Sequence, residues 1–162
     1  MAKLGNTTVF GDLTSNRSFV TDGFFDGHLT NTQTNAENGI YVNIADSVNI
    51  NRGFTVNSSS SININYAGTY RIEYNVNFHR TGSNLRNVMY AEVELNGSNL
   101  DPRTRGTCYI RTVSSGDEGD ARNSTIIDLS ANDTIRVYAN EERGGETGND
   151  IERGTLSIEQ IG

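Results

Sequence analysis

The chain has 162 residues, which suits one domain of ordinary size built around a single core. Its formal net charge is −7 and Lys3 is its only lysine, so it lacks the clustered cations that a nucleic-acid-binding surface needs. No apolar run predicts a signal peptide or a membrane span, and the single Cys108 excludes a disulfide within the chain. We therefore expect synthesis in a reducing cytoplasm, with no membrane or nucleic-acid partner.

Residues 1–40 are rich in Thr, Asn, Asp and Gly, and their apolar side chains are too sparse for a core of their own. This composition predicts an N-terminal arm, either flexible with short edge strands or anchored to another protein through its aromatic side chains. The candidate anchoring residues are Phe10, Phe19, Phe24 and Phe25. His28 also lies in this arm, and we expect it to be solvated.

We expect residues 41–162 to form the folded domain. Apolar and polar residues alternate strictly from Tyr70 to Phe78, and this period of two indicates a strand with one dry face and one polar face. The same alternation recurs at residues 62–66, 93–95, 135–137 and 156–158, with turn-forming clusters between them. The pattern predicts an all-β antiparallel sandwich or jelly roll. The candidate core residues are Tyr70, Ile72, Tyr74, Val76, Phe78, Leu156 and Ile158.

Three local signals within this domain have specific structural meanings. Asn96-Gly97 predicts a type I′ hairpin turn, because both of its central residues need a positive φ. Pro102 cannot donate a ladder hydrogen bond, so it predicts a loop or an edge. Cys108, beside Tyr109 and Ile110, is expected to be a small core residue, with thiol chemistry as the alternative.

The sequence carries no catalytic signature. Its only histidines are His28 and His79, no nucleophile elbow is present, and we expect His79 to be a surface or interface residue on the polar face of its strand. The acidic runs at residues 117–120 and 141–152 predict solvated loops, and a Ca²⁺ site is the alternative, although neither run has EF-hand spacing. We therefore expect no enzymatic activity and no cofactor.

Four turn-and-strand segments together resemble the tumour-necrosis-factor-like jelly roll, and more narrowly its complement globular-head branch. They are residues 67–70, 94–97, 127–135 and 155–159. The chain has Asn132-Asp133 where the family has Gly-Asp, and Asn tolerates the left-handed conformation of that turn. The resemblance implies a ten-stranded sandwich that assembles as a homotrimer with aromatic and aliphatic residues near its axis. It thus makes the seven candidate core residues candidates for trimer packing as well.

Residues 4–13 resemble the openings of tailed-phage virion proteins. The two resemblances together imply a phage capsid decoration (cement) protein or head fibre on the capsid exterior, with the major capsid protein as its partner. One alternative is a fibre knob that binds a receptor or a host-surface glycan. Another is a cytosolic host protein with a calcium-dependent or purely structural sandwich, because a fold does not fix a function.

Overall fold

The structure is a computed structural model that describes residues 23–82, 86–99, 102–111, 117–144 and 147–162. Within these residues the chain forms strands and two 3-10 helices, Ala36–Asn38 and Pro102–Thr104, and no α-helix. The strands are β1 Phe24–His28, β2 Ile40–Tyr41, β3 Ser47–Arg52, β4 Phe54–Ser58, β5 Ser61–Ile64, β6 Gly68–Arg80, β7 Asn87–Leu95, β8 Ser98–Asn99, β9 Gly106–Ile110, β10 Glu118–Leu129, β11 Thr134–Arg143 and β12 Asn149–Gln160. Pro102 begins the second 3-10 helix, between β8 and β9, so it lies outside the strand ladders, as a residue without an N–H must.

The strands form two antiparallel sheets that pack face to face. The first sheet has the order β10-β6-β12-β1-β3. The second has the order β4-β5-β11-β7-β8, with β2 paired to β11 and β9 paired to β7. The predicted all-β jelly-roll sandwich is therefore confirmed. The resemblance implied ten strands, and two of the twelve described here, β2 and β8, are only two residues long.

Strand β6 supplies the centre of the core because it is hydrogen-bonded on both sides, to β10 and to β12. Its apolar positions face the second sheet, and Ile72 and Tyr74 lie opposite Ile158 and Leu156 of β12. The seven candidate core residues have exposed fractions of 0% to 4%. Period-two alternation in the sequence has thus placed one whole side of the strand in the core.

The hydroxyl of Tyr74 links the two sheets. It lies 2.6 Å from the carbonyl oxygens of Ala91 and Thr104, and it accepts a hydrogen bond of 2.9 Å from the Gly106 N–H. Burial raises the pKa of Tyr74 above its ordinary value, because the ionised form would lose its hydration. A satisfied phenol at this depth fixes the position of β6 against β7 and β9.

The folded domain begins earlier than the expected boundary between residues 40 and 41. Strand β1 lies inside the first sheet, paired to β12 on one side and to β3 on the other. Phe25 is fully buried and packs edge-on against Phe54 at 6.1 Å between ring centroids. A Cβ at Gly27 would lie 2.5 Å from the carbonyl oxygen of Ile44, so only glycine fits there. Residues 24–40 are therefore part of the sandwich.

The turn predictions agree with the backbone. Asn96 and Gly97 have φ angles of 53° and 79°, as a type I′ turn between β7 and β8 requires. Asn132 has a φ of 73°, so it takes the left-handed position that the family fills with glycine. Asn and Gly adopt this left-handed backbone conformation more readily than residues with larger side chains do.

The sandwich has two distinct ends. At one end, which we name the arm end, Gln160 donates its backbone N–H to Gly23 at 2.8 Å. Residues 1–22 therefore join the domain beside its C-terminal residues. At the opposite, distal end, Thr81 donates to the carbonyl of Gly148 and Arg80 to that of Asp117, each at 2.8 Å. The two ends are separated by the length of β6, about 13 residues or 40 Å.

The burial difference between the neighbouring aromatic residues of β1 gives a direct test of the revised boundary. Phe25→Ala is expected to lower the free energy of unfolding by about 4 kcal/mol, because it leaves a cavity between the sheets. Phe24→Ala, the matched control on the outward face, is expected to cost no more than about 1 kcal/mol. Urea denaturation monitored by tyrosine fluorescence measures both values. Equal losses would contradict the placement of β1 inside the sheet.

Candidate functional site

The outward side of the first sheet, which we name the polar face, is covered by paired polar side chains. Arg71 of β6 forms an ion pair of 3.1 Å with Glu159 of β12. One row further along, Ser124 of β10 donates to Glu73 at 2.9 Å. Both members of the Arg71–Glu159 pair are exposed, so the pair contributes little to stability by itself.

A shallow groove of about 450 Å³ crosses the middle of the polar face. Its walls come from β1, β6, β10 and β12, and they include Asp26, Glu73, Asn75, Arg122 and Thr155. The side-chain oxygen of Asn75 is buried and has no hydrogen-bond partner in the described part of the chain. The groove thus offers carboxylate, amide, guanidinium and hydroxyl groups within one small area, a mixture that suits a polyhydroxylated ligand.

Near the distal end, the polar face carries an ionic network around His79. Its Nδ1 lies 3.0 Å from Glu152 and its Nε2 lies 3.6 Å from Asp117. Arg153 forms an ion pair of 2.8 Å with Glu118. The expectation that His79 is a surface residue is confirmed, and all of these groups are partly exposed to solvent.

The outward side of the second sheet holds a different arrangement, which we name the arginine–tyrosine cluster. Its members are Tyr41, Tyr90, Glu92, Glu94, Arg105, Arg136 and Tyr138. Strands β7 and β11 bring most of them together, because Glu94 lies opposite Arg136 and Glu92 opposite Tyr138 in the ladder. Strand β2 adds Tyr41 beside Tyr138.

The two carboxylates of this cluster are nearly inaccessible to water. Glu92 and Glu94 have exposed fractions of 1% and 4%. Arg105 approaches Glu92 with Nε and Nη2 at 3.0 Å each, and Arg136 Nη2 lies 2.8 Å from Glu94. Desolvated carboxylates of this kind are tolerated only with a charged partner in good geometry.

The guanidinium groups also stack on tyrosine rings. Arg105 lies 4.0 Å from the ring centroid of Tyr90, and Arg136 lies 4.2 Å from that of Tyr41. The Tyr41 hydroxyl donates to Glu94 at 2.9 Å. Burial, reinforced by this hydrogen bond, raises the pKa of Tyr41 above its ordinary value. The hydrogen bond to Glu92 raises the pKa of Arg105, so this guanidinium group stays charged beside the buried carboxylate.

Residues outside these two surfaces can be placed as follows. Cys108 packs against the core as expected, and burial raises the pKa of its thiol to about 12. His28 is half-buried within β1, not in an arm, so its expected solvation is only partial. The acidic run at residues 141–152 forms a shorter loop than expected, because β11 extends to Arg143 and β12 starts at Asn149. Among the residues that the structure describes, no group of three or more acidic, His or Cys side chains is placed to hold a metal ion.

The candidate anchoring residues separate into three groups. Phe10 and Phe19 lie outside the described residues. Phe24 is half-buried on the polar face, between Arg52 and Glu159, and close to the point where residue 22 joins the domain. Phe25 is a correction: its side chain is enclosed by the chain's own core and is not accessible to another protein.

The seven candidate residues for trimer packing are buried in the chain's own core. Their side chains therefore cannot supply contacts between copies unless the sandwich opens. These side chains are buried because the two sheets pack against each other. Any contact between copies must use other side chains.

The arginine–tyrosine cluster was not predicted from the sequence. Its residues are spread from Tyr41 to Tyr138, and only the pairing of β2, β7 and β11 brings them together. The alternation predicted a strand at residues 93–95 only, and Tyr90, Glu92 and Glu94 carry no local sign that they lie on one covered surface.

Comparison with solved structures confirms the tumour-necrosis-factor-like jelly-roll fold. The chain is similar to murine APRIL with a TM-score of 0.54 and 13% identity, over 86% of this chain and 99% of that one. It is similar to the Eiger TNF of S. frugiperda with a TM-score of 0.51 and 11% identity, over 86% and 94% of the two chains. The globular domain of zebrafish complement 1qA gives a TM-score of 0.51 at 9% identity, over 86% and 98%.

No family model matches the chain, and no curated protein sequence matches it. At the identities above, the structural likeness establishes the fold and leaves the function to be argued from the chain itself. Separately, none of the described residues forms a helix that is both long and apolar enough to span a membrane.

The buried ion pairs of the arginine–tyrosine cluster predict a large difference between two arginine substitutions. Arg136→Met is expected to lower the free energy of unfolding by about 3 kcal/mol, because it leaves Glu94 buried without its cation. Arg71→Met, which removes an exposed pair, is expected to cost less than about 1 kcal/mol. The double substitution Arg136→Met/Glu94→Leu should recover most of the loss. Chemical denaturation measures all three, and equal effects of the two single changes would contradict this assignment.

The buried thiol predicts slow alkylation and a loss of stability at alkaline pH. At pH 8.5, native Cys108 is expected to react with iodoacetamide at least about 100-fold more slowly than the unfolded chain, because the native thiolate is scarce. The native pKa is raised, so this thiol's stabilisation is complete below the ordinary pKa of 9.0 and is lost as the pH rises towards about 12. Cys108→Ala should remove that part of the pH dependence. Fast native labelling would contradict it.

Proposed function

We propose that this protein is a structural component of a tailed-phage virion, a trimeric capsid decoration or head-fibre protein that acts without catalysis. The observation that supports it best is the position of Gly23, the residue at which residues 1–22 join the described domain. They join the domain at the arm end, beside Gln160, whereas the connections at Thr81, Asp117 and Gly148 lie at the distal end. A protein attached through its N-terminal segment would thus hold its jelly roll away from the attachment point.

The partner in this proposal is the major capsid protein, and the location is the capsid exterior. Attachment through three arms of one trimer would bind by avidity, so a weak contact from each arm suffices. Phe10, Phe19 and Phe24 are the proposed anchoring side chains. Phe24 is the one whose position is described, and it lies on the polar face at the arm end.

The trimer in this proposal is supported by the fold and by the surface chemistry. The polar face pairs opposite charges on neighbouring strands, as in the Arg71–Glu159 pair, and it carries the strongly exposed Ile126 on β10. Charged and hydrogen-bonding rows of this kind give an interface specificity, because a wrong partner leaves desolvated charges unpaired.

Deletion of residues 1–22 tests whether capsid binding and folding depend on different parts of the chain. Deletion of residues 1–22 stops short of β1, so it is expected to leave a folded trimer that no longer binds capsids. Light scattering gives the mass, and co-sedimentation with particles from a phage lacking this gene gives the binding. Full-length protein is the control. If the truncated trimer still binds the particles, the anchor assignment is wrong; if the full-length protein is monomeric and does not bind, the proposed function is wrong.

A glycan-binding fibre knob is the second candidate, and the groove on the polar face is the observation that favours it. Its unpartnered Asn75 oxygen and the neighbouring Arg122 and Thr155 groups resemble a site for sugar hydroxyls. A glycan array tests this: a reproducible ligand whose binding is lost at least 10-fold in Asn75→Ala supports the knob. No ligand on the array, together with capsid binding, favours decoration.

A further inference from the structure

One edge of the five-stranded sheet is covered and the other is open. Strand β10, at the covered edge, is approached by the second sheet: a Cβ at Gly106 of β9 would lie 2.5 Å from the backbone of Arg122. Asn123 of β10 also donates to the carbonyl of Arg103 at 3.0 Å. Strand β3, at the other edge, pairs with β1, and no strand within the described residues pairs with its second side.

The open edge has few of the features that prevent strand addition. Strand β3 is six residues long and contains neither lysine nor proline. Its Val48 and Ile50 have exposed fractions of 37% and 41%. The pairing of β1 with β3 contains one bulge, between Asp26 and Gly27, and Arg52 is the only charge on β3. An exposed apolar edge of this kind is a template for an additional strand.

The two exposed apolar side chains of β3 lie on opposite faces of the sheet. Ile50 is opposite Asp26 and so belongs to the polar face, whereas Val48 is opposite Gly27, which faces the core. A strand that completes this edge therefore needs an apolar residue on each side, at adjacent positions. Residues 17–21 of this chain, Arg-Ser-Phe-Val-Thr, provide Phe19 and Val20 in that arrangement.

The point at which residues 1–22 join the domain lies beside this edge. A Cβ at Gly53, in the turn that ends β3, would lie 3.6 Å from the Cα of Gly23. A chain of 22 residues can extend about 70 Å, which exceeds the length of β3, about 20 Å, several times. The segment is thus several times longer than the edge that it would have to cover.

We propose that residues 17–21 of one copy add as an antiparallel strand to the open edge of β3 in a second copy. Residues 17–21 of the same copy are less suited to this edge. The segment would have to cross two strand spacings, about 10 Å, which consumes residues 20–22 and removes Val20 from pairing. It would also run parallel to β3, because residues 17–21 and β3 of one copy both run towards the arm end. Parallel strand pairing is slightly less stable than antiparallel pairing.

This inference rests on the self-association in the proposed function, and it adds a second contact between copies to the jelly-roll contacts that hold the trimer. Phe19 becomes a contact between copies, which leaves Phe10 as the aromatic side chain of the segment that contacts the capsid. Exchange of a terminal segment between identical copies needs no new surface, since the edge is present in every copy. The arrangement also removes an exposed edge that would otherwise favour aggregation.

Hydrogen exchange of residues 47–52, measured by mass spectrometry, tests the pairing. In the wild-type chain, the amides on the open side of β3 are expected to exchange at least 10-fold more slowly than in the Phe19→Ser/Val20→Ser variant. The matched control Val9→Ser/Phe10→Ser carries the same kind of change in the other apolar run of the segment and should keep wild-type protection. Equal exchange in all three proteins would overturn the proposal.

A mixing experiment identifies the copy that supplies the strand. Isotope-labelled Phe19→Ser/Val20→Ser protein is unfolded and refolded together with an excess of unlabelled wild type. Protection of β3 in the labelled chain supports exchange between copies, and its absence, with protection retained in the wild-type chain, would show pairing within one copy and overturn the proposal.

Particle binding reports on the proposed function separately. Val9→Ser/Phe10→Ser should lose capsid binding yet keep β3 protected. If β3 is unprotected in every protein while the wild type is a capsid-binding trimer, the strand addition fails and the proposed function stands.

Discussion

The hydrogen-bonded placement of β1 between β12 and β3 is the constraint on which the rest of the structure depends. It buries Phe25 against Phe54, which in turn packs against Tyr70 of β6 at 5.9 Å, so one aromatic series joins both sheets at the arm end. It also moves β3 to the edge of the sheet, and it fixes the position where residues 1–22 join the domain. The aromatic packing in the core, the open edge of β3 and the position where residues 1–22 join the domain therefore all follow from the placement of β1.

The fold was predictable where the sequence pattern is local. The alternation from Tyr70 to Phe78 specifies β6, and Asn96-Gly97 specifies a hairpin, because each signal lies within a few neighbouring residues. Strand β1 was not recognised: Phe-Phe-Asp-Gly-His contains two poor strand formers and a single apolar residue that faces the core. Its conformation is imposed by β12, which is about 130 residues away in sequence. Such long-range pairing leaves no local trace.

The two outward faces of the sandwich use charge in opposite ways. On the polar face, pairs such as Arg71–Glu159 are hydrated and can be exchanged for contacts with another molecule at little cost. In the arginine–tyrosine cluster, Glu92 and Glu94 are enclosed, so their arginine partners are needed at all times. Neither role could be predicted from the sequence, because both faces carry charged residues and only the burial of those residues separates the two faces. This contrast favours the polar face as the surface that changes partners and the cluster as the one that keeps the second sheet rigid.

The orientation of β1 has a mechanical consequence. A pull on residues 1–22 is transmitted along the axis of β1, perpendicular to the hydrogen bonds that join it to β12 and β3. Force in that direction loads both ladders in shear, so the bonds share the load and cannot break one after another as in an unzipping hairpin. The ladders on both sides of a five-residue strand would therefore resist together the unfolding of the domain under such a pull.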